Sequence, residues 1–294
     1  MKHVQPRVIK VGTTCYVTTT DNKTVLKGHQ VWCGGNLVFD YGESCEERLA
    51  REATIYKHLG RHHQILECFG LQEVHPGIHS LRLEMAPLGS LRTFIRQTAK
   101  NPPTLLSRLR MALDVATGLG YLHSRGVMAC DLSATNIFVF DELRVKLGDF
   151  GGALLEGADF EWDQTHETRY HLPARGRAYD EVPIMKRELF SLGSAMYEII
   201  AWERPFADLE DNEVDARYAR DEFPSLDGNV AAQIIRNCWD EVYATAQKVI
   251  ADLKALKANF HEELPACPQP TGSILSPCLC SKPSKMAVKL PQHS

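Results

Sequence analysis

Short runs rich in β-branched residues mark the first 40 positions: residues 7–11 and 15–20 read as strands, and Asp21-Asn22-Lys23 supplies a turn before Thr24-Val25-Leu26-Lys27. The pattern predicts an antiparallel meander. The period then changes, because Leu49, Ala53, Tyr56 and Leu59 recur at three- and four-residue steps. A helix is expected over residues 43–59, with Ser44 as its cap and Gly60 as its stop. Two short strands are expected at residues 66–71 and 79–83. From Gly89 the periodicity is helical, and Leu105, Leu109, Ala112, Leu113, Ala116, Leu119 and Leu122 form one apolar stripe that ends near Gly126. Residues 137–140 and 145–147 read as strands joined by Asp141 and Glu142, and helices follow over residues 185–201, 230–241 and 244–258. A β-rich part with one helix followed by a mostly helical part predicts an α+β fold in two lobes, with a cleft where they meet.

The pattern fails near the end of the chain. Residues 263–294 carry Pro265, Pro268, Pro270, Pro277, Pro283 and Pro291, six of the fifteen prolines, among Ser, Gln and Lys. Such a stretch cannot keep a helix, so a disordered Pro/Ser-rich tail is expected over residues 261–294. The other 260 or so residues show no internal repeat of about 20 to 50 residues.

Composition narrows the function classes. At 294 residues, 44% hydrophobic and 24% charged, the chain has material for a sizeable core, which excludes wholesale disorder and fibrous architectures. No apolar run approaches the roughly 20 residues of a membrane span, and MKHVQPRVIK lacks the apolar stretch of a secretory signal, so a cytoplasmic or nuclear address is expected. With 33 basic against 37 acidic residues the net charge is −4, which offers no bulk field for nucleic acid or an anionic membrane. Any anionic ligand must be met by a local site.

Six of the nine cysteines (Cys15, Cys33, Cys45, Cys68, Cys130 and Cys238) are scattered singly, which points to reduced thiols. Cys278 and Cys280 form a lone C-x-C, too little for a four-ligand zinc site. His58, His62 and His63 follow a helix without a third regular partner, so they read as solvated or capping residues.

The densest chemistry is Asp131-Leu132-Ser133-Ala134-Thr135-Asn136, then a short apolar strand, then Asp149-Phe150-Gly151. Two acids and an amide thus sit at strand ends after a long buried helix. Magnesium takes hard oxygen ligands, and phosphoryl transfer needs a further carboxylate near the attacking hydroxyl, so the set suits a nucleotide site. Taken singly, Asp131 and Asn136 equally well brace a loop, and Asp149-Phe150-Gly151 equally well forms an ordinary turn.

Over about residues 7 to 250 the chain resembles the eukaryotic protein kinase family. The run Tyr121-Leu122-His123-Ser124-Arg125-Gly126-Val127 leads into Asp131, which stands at the catalytic-loop aspartate with Asn136 at the family's five-residue offset. Lys146-Leu147-Gly148-Asp149-Phe150-Gly151 resembles the metal-binding strand and loop, Lys27 the phosphate-holding lysine, and Glu52 its ion-pair partner. Leu83-Glu84-Met85-Ala86, followed by Gly89-Ser90-Leu91, is similar to the gatekeeper and hinge. Residues 192–199 and Asn237-Cys238-Trp239 resemble a divergent fungal serine/threonine kinase-like group.

The resemblance implies a kinase domain over residues 1–260, with an N-lobe at about 4–84 and a C-lobe at about 88–260. It also implies ATP and Mg2+ as cofactors and a protein as substrate. Lys27, fixed by Glu52, would neutralise the non-transferred phosphates; Asp149 and Asn136 would hold magnesium; Asp131 would orient the substrate hydroxyl and accept its proton. The backbone of Glu84 and Ala86 would pair adenine, with Val17 and Val25 above the base and Phe138 below.

The family pattern is broken in places. If Val17 closes the G-x-G-x-x-G-x-V stretch, the glycine positions are Lys10, Gly12 and Cys15, so only Gly12 is kept. Ala129-Cys130 replaces the family's His-Arg before Asp131, which removes a packed ring beneath Phe150 and the cation that reads an activation-segment phosphate. Ser133 stands where serine/threonine kinases carry lysine. Tyr170-His171-Leu172-Pro173-Ala174 only loosely follows the Ala-Pro-Glu motif, Glu188 replaces an aspartate, and Thr165 and Thr168 are conceivable phosphosites. The reading is an ATP- and magnesium-dependent serine/threonine protein kinase. The alternative is a pseudokinase acting as a nucleotide-binding or scaffold module, and a small-molecule kinase of similar fold is a third reading.

Overall fold

The computed structural model describes residues 7–12, 15–33, 35–159 and 167–262. Strands β1 (Arg7–Val11), β2 (Tyr16–Thr19) and β3 (Thr24–Gly28) form the expected meander, with Lys10↔Val17 and Val17↔Lys27 in register. The turn between β2 and β3 closes as anticipated. Asn22 takes a left-handed φ of 53°, and Asp21 Oδ1 accepts the Lys23 and Thr24 N–H groups.

A hairpin, β4 (Gln30–Cys33) and β5 (Asn36–Asp40), precedes α1 (Glu43–Leu59). Helix α1 has the anticipated bounds, but its cap is Gly42 at φ 91° with no side-chain cap bond, not Ser44. Asp40 Oδ1 instead accepts the Gly42 N–H, while Glu43 and Glu46 complement the helix dipole in the first turn. The sheet is completed by β6 (Cys68–His75) and β7 (Ile78–Glu84) in the antiparallel order β1-β2-β3-β7-β6. Helix α1 lays Leu49, Glu52, Ile55, Tyr56 and Leu59 inward, the single charge in that apolar stripe being Glu52.

The second lobe begins with α2 (Leu91–Thr98) and the long α3 (Leu105–Ser124), each started by a hydroxyl cap: Ser90 accepts from the Thr93 N–H and Thr104 from the Ser107 N–H. Strand β8 (Val127–Met128) and the hairpin β9 (Ile137–Val139) and β10 (Val145–Leu147) follow, and β11 (Leu154–Leu155) pairs back onto β8. Helix α4 (Ile184–Ala201) is buried from Arg187 to Ile200, and that stretch carries the charged residues Arg187, Glu188 and Glu198 among its apolar positions. Helices α5 (Asp211–Tyr218), α6 (Ala232–Trp239) and α7 (Ala246–Glu262) complete the lobe. Among the described residues no helix is long and apolar enough to cross a membrane. Helix α7 takes in His261 and Glu262, the first two residues of the expected tail over residues 261–294, and the rest of that reading lies outside the described residues.

Candidate active site

The two lobes enclose a cleft of about 510 Å³. Val17 and Val25 line it from the sheet, Phe138 from β9, and Leu83, Glu84 and Ala86 along the connection between the lobes. At its inner end lie Lys27, Glu52 and Asp149.

These three come from separate parts of the chain. Lys27 sits in a central strand, paired on both sides, so its backbone is fixed by β2 and β7. Its Nζ lies 2.6 Å from Glu52 Oε2 and 2.7 Å from Asp149 Oδ1. The Phe150 N–H donates to Glu52 Oε1 at 3.3 Å, and the Phe150 ring packs on Tyr56 at 5.0 Å between centroids. Gly148 permits this approach, because a Cβ there would sit 3.0 Å from the Phe138 ring and 3.1 Å from Tyr56 Oη. Asp149 itself has φ 63°, which turns the chain out of β10.

Burial opposes the charge on Lys27, but the Asp149 and Glu52 carboxylates outweigh it and raise its pKa. Burial likewise works against ionisation of Asp149, yet the Lys27 ammonium prevails and lowers that pKa. The inner end therefore holds the Lys27 cation against the Asp149 carboxylate, while burial raises the Glu52 pKa despite Lys27 beside it.

Asp131 and Asn136 form a second cluster in the loop between β8 and β9. Asn136 Nδ2 donates to the Asp131 carbonyl at 2.9 Å and to Asp131 Oδ2 at 3.0 Å, so these bonds leave Asn136 Oδ1 free. Burial, then the charge of Asp149, pushes the Asp131 carboxyl up to about 7; the Asn136 bond works the other way. The loop is held from beneath by Glu188 of α4, whose carboxylate accepts the Ala129 N–H at 3.0 Å and the Cys130 N–H at 2.8 Å and also meets His123 Nε2 at 3.1 Å. Cys130 sits at φ 60°, so these bonds restrain a backbone that an ordinary side chain seldom adopts. The exchange of aspartate for Glu188 thus keeps its hydrogen bonds.

Gly12 is not brought to this cleft. It borders a separate groove with Val11, Val31, Phe39, Asp40 and Tyr41, while the Cys15 side of the loop lines the cleft. The Glu84 side chain is engaged within the protein, accepting the Glu67 N–H and the Lys146 ammonium at 2.6 Å each. The Met85 N–H is taken by the Lys23 carbonyl, whereas the Ala86 N–H has no protein acceptor among the described residues.

A model of the family described as protein tyrosine and serine/threonine kinase matches residues 38–255, about three quarters of the chain. The chain belongs to this protein kinase family. Its relatives include the serine/threonine/tyrosine-protein kinase HT1 of Arabidopsis thaliana, 30% identical over 172 residues, which cover 56% of this chain and 43% of HT1. The serine/threonine-protein kinase CTR1 of the same plant is 31% identical over 197 residues, 64% of this chain and 24% of CTR1. The tyrosine-protein kinase FRK of Homo sapiens is 28% identical over 200 residues, 65% of this chain and 39% of FRK. The match spans less than half the length of each of these curated relatives.

Within this kinase domain one network had no counterpart in the sequence reading. Arg92 of α2, itself buried, pairs with Glu198 of α4 at 2.5 Å and with Glu167 at 3.0 Å, Tyr170 Oη donates to Glu198 at 2.7 Å, and Arg204 holds Glu167 at 2.8 Å. The Tyr170 hydroxyl also accepts the Ala134 N–H at 3.2 Å, tying this network to the loop that carries Asp131 and Asn136. Its visible signal is a glutamate inside the apolar run Ala195-Met196-Tyr197-Glu198-Ile199-Ile200, a charge that buried packing tolerates only with a partner. Nearby, Arg175 and Arg177 both reach Glu241 at 2.7 Å. Thr168 lies in the 3-10 turn Thr168–Tyr170, and Thr165 lies outside the described residues. His58 Nε2 bonds to the Arg125 carbonyl at 2.8 Å, and His62 stacks on Tyr121 at 4.0 Å.

Proposed function

We propose that this chain is an ATP- and magnesium-dependent protein kinase that phosphorylates serine or threonine hydroxyls of a protein substrate. The observation that carries the reading is the bridge from Glu52 through Lys27 to Asp149, which holds three segments in one place. The donor set fits a magnesium nucleotide: Asp149 offers a carboxylate and Asn136 an uncommitted amide oxygen, both hard ligands. Two protein ligands suffice because magnesium keeps waters and takes phosphate oxygens for the rest. When bound, Mg-ATP supplies the γ-phosphoryl group and neutralises the charge that develops on the phosphates.

The residues divide the remaining work. Lys27 holds the non-transferred phosphates, its stem kept in place by Glu52. Backbone groups of Glu84 and Ala86 pair the adenine edge, and Val17, Val25 and Phe138 enclose its faces. Asp131, poised near neutrality, orients the acceptor hydroxyl and receives its proton.

A second reading is a pseudokinase that binds nucleotide but transfers little. Cys15 at a glycine position, Ala129 in place of the family's histidine and Ser133 in place of lysine favour it. Thermal melting with Mg-ATP tests the common part of both. At a hundredfold excess over Kd, binding stabilises by about 2.7 kcal/mol, which for a domain of this size is a rise of roughly 5–10 °C. That rise is expected for wild type and a smaller one for Lys27→Met; no rise in wild type contradicts both nucleotide readings.

A further inference from the structure

Among the described residues, nine of the ten large hydrophobic side chains that are exposed belong to the N-lobe. Three are consecutive on β5: Leu37 at 47%, Val38 at 63% and Phe39 at 54% exposure. Every position of β5 is exposed, so both faces of this strand lack cover. Its sheet contains β4 and β5 alone, which leaves the outer edge of β5 with unpaired backbone groups among the described residues. A two-stranded ribbon with no covered apolar face is marginal in water, and a free edge is a template for another strand.

The C-terminal residues of the same chain have the matching chemistry. Pro283 and Pro291 bracket a proline-free stretch in which Lys285-Met286-Ala287-Val288-Lys289-Leu290 alternates, with Met286, Val288 and Leu290 on one side and Lys285 and Lys289 on the other. Lys282, Lys285 and Lys289 make the segment basic. The end of β5 and the first turns of α1 are acidic, with Asp40, Glu43, Glu46 and Glu47 all exposed. Reach is ample. The 22 residues from 263 to 284 span up to about 75 Å when extended, against a radius of gyration of about 18 Å for a domain of this size.

We propose that residues 285–290 dock as an added strand on the free edge of β5, setting Met286, Val288 and Leu290 beside its exposed apolar side chains and bringing the basic segment to the acidic start of α1. β5 leads directly into the helix that carries Glu52, so the docked strand also braces the approach to that helix. Hydrogen exchange on the full chain, read peptide by peptide, tests this with Val288→Asp and with Val38→Asp, the latter at a solvent-exposed position. The expected result is that edge amides of residues 36–40 exchange at least tenfold faster in Val288→Asp than in wild type. Amides of residues 285–290 should likewise lose protection in Val38→Asp, and neither effect should depend on protein concentration. Equal exchange in wild type and Val288→Asp overturns the proposal. So does protection that grows with concentration, which assigns the edge to a second copy of the chain.

Discussion

One carboxylate holds the Ala129–Cys130 end of the loop that carries Asp131, and replacing Glu188 by glutamine asks how much that support is worth. The two carboxylate oxygens each accept one backbone N–H, from Ala129 and from Cys130, at 3% exposure. Glutamine keeps the volume but only one oxygen, so one N–H must face an NH2 group. An orphaned buried donor costs about 1–3 kcal/mol, and the surviving bond loses the roughly 1 kcal/mol that charge adds to it. The sum is about 3 kcal/mol, equivalent to a fall in Tm of about 6–12 °C for a domain of this size. Urea unfolding followed by tryptophan fluorescence measures it. Glu188→Asp, which keeps both oxygens on a shorter stem, should lose less than half as much. A loss below 1 kcal/mol for Glu188→Gln, or an equal loss for Glu188→Asp, would refute the idea that these two bonds hold the loop at the strained Cys130.

Two further outcomes follow from the same geometry. Because burial and Asp149 raise the Asp131 carboxyl to about 7, the folded state holds a proton that the unfolded chain releases near pH 4, so the fold loses stability as pH rises from about 4 to 7 and the loss levels off above 7. Wild type should therefore lose stability relative to Asp131→Asn between pH 5 and pH 8 in denaturant titrations, and a flat difference contradicts the assigned environment. Gly193 of α4 packs tightly on α6: a Cβ there would lie 2.7 Å from Cys238 Cβ and 3.2 Å from the Trp239 ring. Gly193→Ala should destabilise by about 1–3 kcal/mol through overpacking even though alanine is the better helix former by about 1 kcal/mol; a raised Tm would show that the contact is soft.

Most of the site was legible because its residues belong to short motifs: Asp131 and Asn136, Asp149-Phe150, and Lys27 at the end of a β-branched strand. The regular helices were legible for a different reason, since α1 and α3 carry long apolar periods that burial enforces. What escaped lacked a period. The β4–β5 hairpin shows no inside–outside alternation because β5 is exposed on both faces. Helix α5 buries only Val214 and Tyr218 and is started by a Glu210–Glu213 capping box, so it carries too short an apolar period to stand out, and its Asp211 pairs with Arg169 only through the fold. The Arg92–Glu198 pair escaped because its members are 106 residues apart, and only folding brings them together.

The central claim is that the loop carrying Asp131, the Lys27–Glu52–Asp149 bridge and a magnesium nucleotide together transfer phosphate. Its most direct test is a phosphotransfer assay with Mg-ATP and a generic basic protein, comparing wild type with Asp131→Asn. The account predicts incorporation by wild type and a loss of about a hundredfold or more in the mutant, in keeping with removal of the proton acceptor. Equal incorporation by the two proteins, or none by either, would contradict it.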